Sequence, residues 1–246
     1  MAPAKRRLDA ELVARGMAKT QSSARTMILA GLVSSDGATL SRPGVRVDTD
    51  RSITVLGDDG TWVGRGGLKL SHGLEHFNID PTGAVALDIG ASIGGFTQVL
   101  LTGGAARVYA VDVGAGQMAE ELSEDPRVIV LDGVNARALS PDEIPEPVSL
   151  IVCDASFIGL ELVLTNPLAL ARPGAQLVAL IKPQFEVGPE RVGKGGIVRD
   201  PVLRIEVCDR IQRWLEDQGW EVLGVTPSPI AGAKGNQEFL IAARLG

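Results

Sequence analysis

Leu87-Asp88-Ile89-Gly90-Ala91-Ser92-Ile93-Gly94-Gly95-Phe96 decides the fold of this 246-residue chain. The apolar run Val85–Ile89 enters a glycine-rich turn and then a helix-forming stretch, so a strand, a tight turn and a helix start are expected in that order. Working outward, similar short apolar runs recur at Val108–Val111, Val128–Leu131, Leu150–Cys153 and Leu177–Ile181, with helix-length segments between most of them. Continuous rather than alternating apolar strands, separated by helices, imply a parallel sheet covered on both faces. A long helix at Arg204–Gln218 lies between that series and two further strands, Glu221–Val225 and Glu238–Ala243. The expected class is α/β, with a mostly parallel seven-stranded sheet.

The turn after the first strand carries chemical information. Its spacing is not Gly-x-Gly-x-x-Gly, because Ser92 stands at the second glycine position and Gly94-Gly95 come early. A dinucleotide pyrophosphate wants the tighter fingerprint and the helix end, so a dinucleotide is disfavoured. An acidic residue ahead of Gly-x-Ser-x-Gly (Asp88, Gly90, Ala91, Ser92, Gly94) instead suits S-adenosylmethionine, a nucleoside with a charged amino-acid tail. Asp112 ends the second strand 18 residues past Gly94, where a carboxylate would accept both ribose hydroxyls. Asp132 ends the third strand, placed to contact adenine. A single strand-end aspartate or turn glycine is most often structural. The conjunction at successive carboxyl ends of one parallel sheet is where ligands bind in such folds.

A second constellation lies at neighbouring strand ends. Asp154 follows Leu150–Cys153, Lys182 follows Leu177–Ile181, Glu238 begins the last strand, and Lys69 sits on a helix just before the sheet. Two lysines and two carboxylates can alternate in a network that holds one lysine neutral enough to take a proton from a poorly acidic hydroxyl. The competing reading is a surface ion-pair cluster, which for Lys69 alone is about as good.

Composition narrows the classes. Hydrophobic residues make up 45% and charged residues 22%, which excludes a wholly disordered chain. Cys153 and Cys208, both in apolar stretches, are too few for a disulfide scaffold or a cysteine-rich zinc site. His72 and His76 are four apart on an expected helix but lack nearby partner ligands, so no metal is expected. No uncharged apolar run reaches the length of a membrane span, and no apolar segment follows the basic start, so a cytoplasmic protein without a membrane partner is expected.

The charge is uneven. The net charge is −6, yet residues 1–46 carry eight basic and three acidic side chains, which makes them +5 and the remainder −11. That segment also reads as a compact α+β module. A short helix over Leu8–Arg15 is stopped by Gly16, and a second, capped at Thr20, Ser22 or Ser23, runs to Ala30. An Asp36-Gly37 hairpin signal follows, then strands around Val45, Val47 and Ile53–Leu56. A basic module joined to an acidic one delegates polyanion binding to the front end.

With these residues in view, the chain resembles the TlyA family of ribose 2′-O-methyltransferases, often labelled hemolysin A. Its carriers are Arg7-Leu8-Asp9-Ala10-Glu11-Leu12-Val13, Arg65-Gly66-Gly67-Leu68-Lys69-Leu70, Asp88-Ile89-Gly90-Ala91-Ser92, Gly94-Gly95-Phe96-Thr97, Asp112-Val113-Gly114, Gly116-Gln117, Asn135-Ala136-Arg137, Asp154, Ser156-Phe157-Ile158 and Lys182-Pro183-Gln184-Phe185-Glu186-Val187-Gly188. The resemblance implies a ribosomal-protein S-four-type RNA-binding domain over residues 1–59, a linker at 60–63, and an FtsJ-like, Rossmann-like methyltransferase domain over 64–246. It places a catalytic tetrad on Lys69, Asp154, Lys182 and Glu238, with Lys182 as base. It assigns cofactor contacts to Asp88, Gly90, Ala91, Ser92, Gly94, Gly95, Phe96, Asp112, Val113, Asp132 and Asn135. RNA contacts fall on Arg6, Arg7, Lys19, Arg25 and Arg65. The implied substrate is a cytidine ribose in ribosomal RNA. The chain's stop after its last strand suggests the shorter type, which modifies only the large subunit. Two other classes compete: a pore-forming hemolysin, which would need a spanning or strongly amphipathic segment, and an inert RNA-binding protein, which would lack a tetrad residue.

Overall fold

A computed structural model describes residues 5–18, 20–29, 33–36, 38–55, 62–232 and 235–246. The chain divides into two compact units, residues 1–65 and 66–246.

In the first unit, β1 (Lys5–Arg7) runs directly into α1 (Leu8–Ala14), and α2 (Gln21–Leu29) follows. Three short strands come next, β2 (Val33–Ser35), β3 (Ala38–Thr39) and β4 (Arg46–Asp48), and then β5 (Thr54–Val55). β2 is flanked by β3 and β5, and β1 pairs antiparallel with β4. Strand β1 is all basic and exposed, so no alternation in the sequence announces it. Leu8, Leu12, Ala24, Ile28, Val33, Val47 and Val55 form the small core. Gly16, at φ +72°, ends α1 as its sequence suggests, and the hairpin turns through Asp36 at φ +51°. The expected end of α2 at Ala30-Gly31, and Leu56, lie outside the described residues, as do Gly60 and Thr61 of the expected linker.

The second unit begins with α3 (Arg65–His76), whose first residue is counted with the first unit. Alternation then follows: β6 (Val85–Ile89), α4 (Gly95–Thr102), β7 (Arg107–Asp112), α5 (Glu120–Ser123), β8 (Val128–Asp132), β9 (Val148–Cys153), α6 (Leu160–Ala169), β10 (Ala171–Ile181), α7 (Pro183–Glu186), α8 (Pro201–Asp217), β11 (Trp220–Pro227) and β12 (Phe239–Leu245). Among the described residues, seven strands form one sheet in the order β11-β12-β10-β9-β6-β7-β8, parallel except for β12, which runs antiparallel to both neighbours. The order reverses between β6 and β9, so the crevice for a ligand opens over their carboxyl ends. Helices are sparser than expected on one side: α5 is a single turn, and only a 3-10 turn at Ala136–Ala138 joins β8 to β9.

One face of the sheet (Leu87, Ile89, Val111, Ile151, Leu177, Ile181, Ile241) packs with Leu160, Val163 and Leu164 of α6 and Val207, Ile211 and Leu215 of α8. On the other face α3 lies close to β10 and β12. A Cβ at Gly73 would come within 3.1 Å of Val178, so glycine there lets the helix settle onto the sheet. That approach brings Lys69, one turn earlier on α3, to the carboxyl edge.

Candidate active site

The loop after β6 crosses the carboxyl edge in a conformation only small residues allow. Gly90 has φ +81°, and a Cβ there would stand 2.9 Å from the backbone nitrogen of Ala155 in the loop after β9. Ser92 takes φ +50°, and its N–H donates to Asp112 Oδ2 at 2.9 Å; the Gly114 N–H donates to Oδ1 at 2.7 Å. Asp112 is thereby fixed at the end of β7, and each of its oxygens keeps an acceptor position. Asp132, at the end of β8, accepts the Gly116 N–H at 2.7 Å and is exposed. Val113 stands 73% exposed beside Asp112, and Asn135 caps the 3-10 turn, accepting from the Arg137 N–H at 3.0 Å.

These groups fit a nucleoside with a cationic tail. The only basic side chains between Asp88 and Asp132 are Arg107, at the start of β7, and Arg127, paired with Asp125. The β6–β8 stretch thus brings no cation of its own to its strand ends for a pyrophosphate, while two strand-end carboxylates are placed for hydroxyl and amine donors.

Two of the expected contact residues lie deeper than the sequence suggests. Asp88 is fully buried; its Oδ2 accepts from Thr97 Oγ1 at 2.7 Å, and its Oδ1 has no partner. Burial pushes its carboxyl up to about 7, with Thr97 opposing and Asp154 and Asp112 adding to the rise. Phe96 is also buried, its ring against Gly66 of α3. As placed here, both support the loop from beneath and offer no side chain to the crevice. Gly94 and Gly95 are buried too: a Cβ at Gly94 would meet Leu122 at 2.4 Å, and one at Gly95 would stand 3.1 Å from Gly67 N. Ala91, also buried, donates its N–H to the Val111 carbonyl.

The four charged residues come together. Lys69 Nζ lies 2.6 Å from Glu238 Oε2, and Lys182 Nζ lies 2.6 Å from Asp154 Oδ1. Both lysines are 7% exposed. Lys182 also donates to Ser156 Oγ at 2.8 Å and to the Asp154 carbonyl at 3.0 Å. A Cβ at Gly232 would stand 2.2 Å from Glu238 Oε1, so glycine leaves room for that carboxylate. Gln184 Nε2 donates to the same oxygen at 3.4 Å, a long bond.

The pairs are coupled. Burial works against the Asp154 carboxylate, but Lys182 and then Lys69 outweigh it and hold Asp154 below the usual range. Burial likewise pulls Lys182 down, and the Asp154 and Glu238 charges outweigh it, so Lys182 sits above an ordinary lysine. The expectation of a lysine held near neutrality is thus corrected for the free protein: two close carboxylates keep it an ammonium.

A feature whose exposure the sequence does not announce adjoins Lys182. Phe157, three residues past Asp154, is 88% exposed and takes φ +66°. Its ring centroid is 4.9 Å from that of Phe185, and the two line a groove of about 550 Å³ with Gln184, Val187, Pro189 and Val192. An aromatic after an apolar strand reads as core. Here it stands in solvent on a strained backbone.

In the first unit, Arg7 Nε and Nη2 donate to the two oxygens of buried Asp9 at 3.0 and 2.8 Å, and Arg25 Nε joins them at 3.1 Å. Glu11, also buried, holds Arg6 at 2.9 Å and Arg15 at 2.7 Å. Arg6, Arg7 and Arg25 remain about half exposed, whereas Arg15 turns inward to the carbonyls of Thr49 and Arg51. Lys19 lies outside the described residues, and Arg65 is partly buried at the start of α3. His72 and His76 stack with ring centroids 5.7 Å apart, and among the described residues no group of three candidate ligands could hold a metal ion.

Comparison with known proteins gives a consistent result. The profile of the FtsJ-like methyltransferases matches residues 62–245, and that of the S4 domain matches residues 6–53. A Mycobacterium tuberculosis protein named 16S/23S rRNA (cytidine-2′-O)-methyltransferase TlyA is 46% identical over 97% of this chain and 89% of its own. Hemolysin A of Brachyspira hyodysenteriae is 37% identical over 95% of this chain and 98% of its own. A solved Streptococcus thermophilus structure carrying a hemolysin name superposes with a TM-score of 0.77 at 38% identity, covering 100% of this chain and 90% of that one. Among the described residues no helix is long and apolar enough to cross a membrane.

Proposed function

This chain belongs to the TlyA family of FtsJ-like methyltransferases, and from that membership we propose that it transfers a methyl group from S-adenosylmethionine to a cytidine ribose 2′-hydroxyl in large-subunit ribosomal RNA. The observation that carries the reading is the two ion pairs, the buried Lys69–Glu238 and the largely buried Lys182–Asp154, at the mouth of the β6/β9 crevice. The name of the M. tuberculosis relative includes a cytidine and the RNA of both subunits, 16S and 23S, whereas that of a Campylobacter jejuni relative, 34% identical over 72% of this chain, includes the 23S RNA alone. Residues 1–59 serve as the RNA-binding module, 60–63 as a linker and 64–246 as the transferase. A ribosomal substrate places the protein in the cytoplasm. The hemolysin names among its relatives describe no feature of the crevice.

Asp112, with two acceptor positions left, would hold the ribose hydroxyls of the cofactor, and Asp132 and exposed Val113 would flank its base. When bound, S-adenosylmethionine would supply a methyl carbon already activated by its sulfonium charge, its S–C bond breaking as the methyl leaves so that S-adenosylhomocysteine, a neutral thioether, would be the leaving group. Lys182 Nζ faces the task of holding the substrate 2′-hydroxyl and receiving its proton as the new O–C bond forms. It must first give up its own proton, which passes to solvent water before the hydroxyl is seated. A positive charge brought into the crevice disfavours the ammonium and offsets part of the Asp154 effect. Asp154 and Ser156 keep Nζ aimed, while Lys69 balances Glu238 so that neither carboxylate is left buried and unpaired. Phe157 and Phe185 offer faces on which the displaced base can stack, a contact worth about 1–3 kcal/mol. Positioning supplies much of the rate in such a reaction, since the electrophile needs no further activation.

The test is direct. Incubated with radioactive S-adenosylmethionine, large ribosomal subunits or their stripped RNA should take up label, and digestion should return it as 2′-O-methylcytidine. Label on a base, or none on ribosomal RNA, overturns the reading; small subunits in a parallel reaction show whether both are substrates.

A further inference from the structure

The segment that follows Lys182 does more than carry it. Lys182 and Glu186 stand four residues apart, and both reach into the 154–159 loop, from opposite ends. Lys182 holds the start of that loop through Asp154 and Ser156. Glu186, its side chain 3% exposed, holds the far end: its Oε1 accepts the N–H of Leu160, the first residue of α6, at 2.8 Å. A Cβ at Gly159 would stand 3.2 Å from Glu186 Oε2, so glycine makes room for the carboxylate. Arg210 of α8 then fixes Glu186, its Nη2 lying 2.7 Å from Oε2 and donating also to the Glu186 carbonyl at 3.3 Å, while Nη1 pairs with Glu161 of α6. The two aromatic walls of the groove ride on these same segments, Phe157 two residues before Gly159 and Phe185 next to Glu186.

We infer that Glu186, held by Arg210, is a positioning residue for methyl transfer: it locks the Phe157 loop to the Lys182 segment and so sets the spacing of the two phenyl rings and the aim of Lys182 Nζ. It touches neither cofactor nor substrate, and it acts through the residues it ties together. A one-point attachment through Lys182 alone would leave that spacing open, because the lysine must exchange its own partners when a hydroxyl arrives. Glu186 is the attachment that stays. The inference rests on the proposed reading that the groove takes a nucleobase and Lys182 the ribose hydroxyl.

The test uses Glu186→Gln in the full-length protein, since glutamine keeps the shape and the acceptor for Leu160 N–H while removing the charge that Arg210 grips. Methyl transfer is measured per bound cofactor, with cofactor affinity determined by calorimetry on the same samples. The expected result is a fall in kcat of tenfold or more with cofactor Kd within twofold of wild type. Arg210→Lys, which keeps the charge but loses the fork, should show a smaller fall of the same kind, and the double variant should be no slower than Glu186→Gln alone. In protein labelled with fluorophenylalanine, the Phe157 resonance, identified by its loss in Phe157→Leu, should shift or broaden in Glu186→Gln. A rate per cofactor site within twofold of wild type, with only a lower melting temperature, would overturn the inference and leave Glu186 as a plain helix cap. If the wild type itself methylates no ribosomal RNA, the parent reading fails. The fluorine spectrum then decides the lock by itself, an unmoved Phe157 line refuting it.

Discussion

Replacing Asp154 with asparagine probes the charge network at its partly exposed carboxylate. The variant keeps the shape and one acceptor oxygen but removes the charge facing Lys182. Lys182, 7% exposed, is then left with Ser156 Oγ at 2.8 Å and the carbonyl of residue 154 at 3.0 Å as neutral partners. Removing one side of a buried ion pair costs about 3–5 kcal/mol. Asp154 keeps about a fifth of its side chain exposed, and two neutral acceptors remain, so a loss of about 2–3 kcal/mol near neutral pH is the expectation. The pH dependence has a definite sign. In the wild type, burial pulls Lys182 down but Asp154 outweighs it, so its contribution is complete below the ordinary lysine value of about 10.4 and is lost as pH rises through the higher folded value. In the variant, burial faces only the Glu238 charge, the folded value drops, and stability is lost as pH falls below the unfolded lysine value. The gap between the two proteins should therefore be widest near neutrality, narrow as pH rises through the ordinary lysine range and close above the raised folded value of Lys182. Asp154 itself is held low by Lys182 and Lys69 against burial, so its contribution is present above about pH 4 and disappears as pH falls through the folded value, narrowing the gap in acid too. Urea unfolding across this range, followed by the fluorescence of Trp220 in the core of the same unit and of Trp214 packed against it, measures it. A gap that is flat with pH, or under about 0.5 kcal/mol at neutrality, would refute the coupled-pair account.

Other variants separate the roles. Lys182→Ala should abolish methyl transfer while leaving cofactor affinity within a few-fold, by calorimetric titration. Asp112→Ala should weaken cofactor binding by at least tenfold in the same titration, since it removes charge-assisted bonds worth about 1.5–3 kcal/mol each and frees the Ser92 loop. Phe157→Ala should raise KM for RNA by about 5- to 150-fold, the equivalent of 1–3 kcal/mol of stacking, with cofactor affinity unchanged. Arg7→Gln combined with Arg25→Gln should lower RNA affinity and flatten its salt dependence by about two in log–log slope, read by filter binding over a salt series.

Much of the transferase was legible because parallel strands buried on both faces must be continuous apolar runs, and the polar residues that end them mark the crevice. Asp112, Asp132, Asp154 and Lys182 follow such runs, and Glu238 precedes one. Depth at those positions was not legible. Asp88 looks like a ligand-facing carboxylate in sequence, but it sits on β6 one residue before the strand end, so its side chain points into packing against Thr97. Phe96 and Phe157 are the reverse pair: one phenylalanine, opening the helix behind a glycine loop, is buried, and one after an apolar strand is exposed. Only the backbone conformation at Phe157 and the packing of Gly66 against Phe96 decide between them. The protonation of Lys182 was hidden for the same reason, since it depends on two carboxylates whose distances no spacing encodes. In the first unit, β1 escaped notice because Lys5-Arg6-Arg7 pairs through its backbone and shows no apolar face.

The central claim is that Lys182 carries ribose methylation of ribosomal RNA. It is tested most directly by mapping 2′-O-methyl positions across the ribosomal RNA of cells that lack this protein and are supplied with either the wild type or Lys182→Ala. The account expects a methylated cytidine in large-subunit RNA with the wild type and none at that position with the variant, at equal protein levels. The same methylation map in both strains would contradict it.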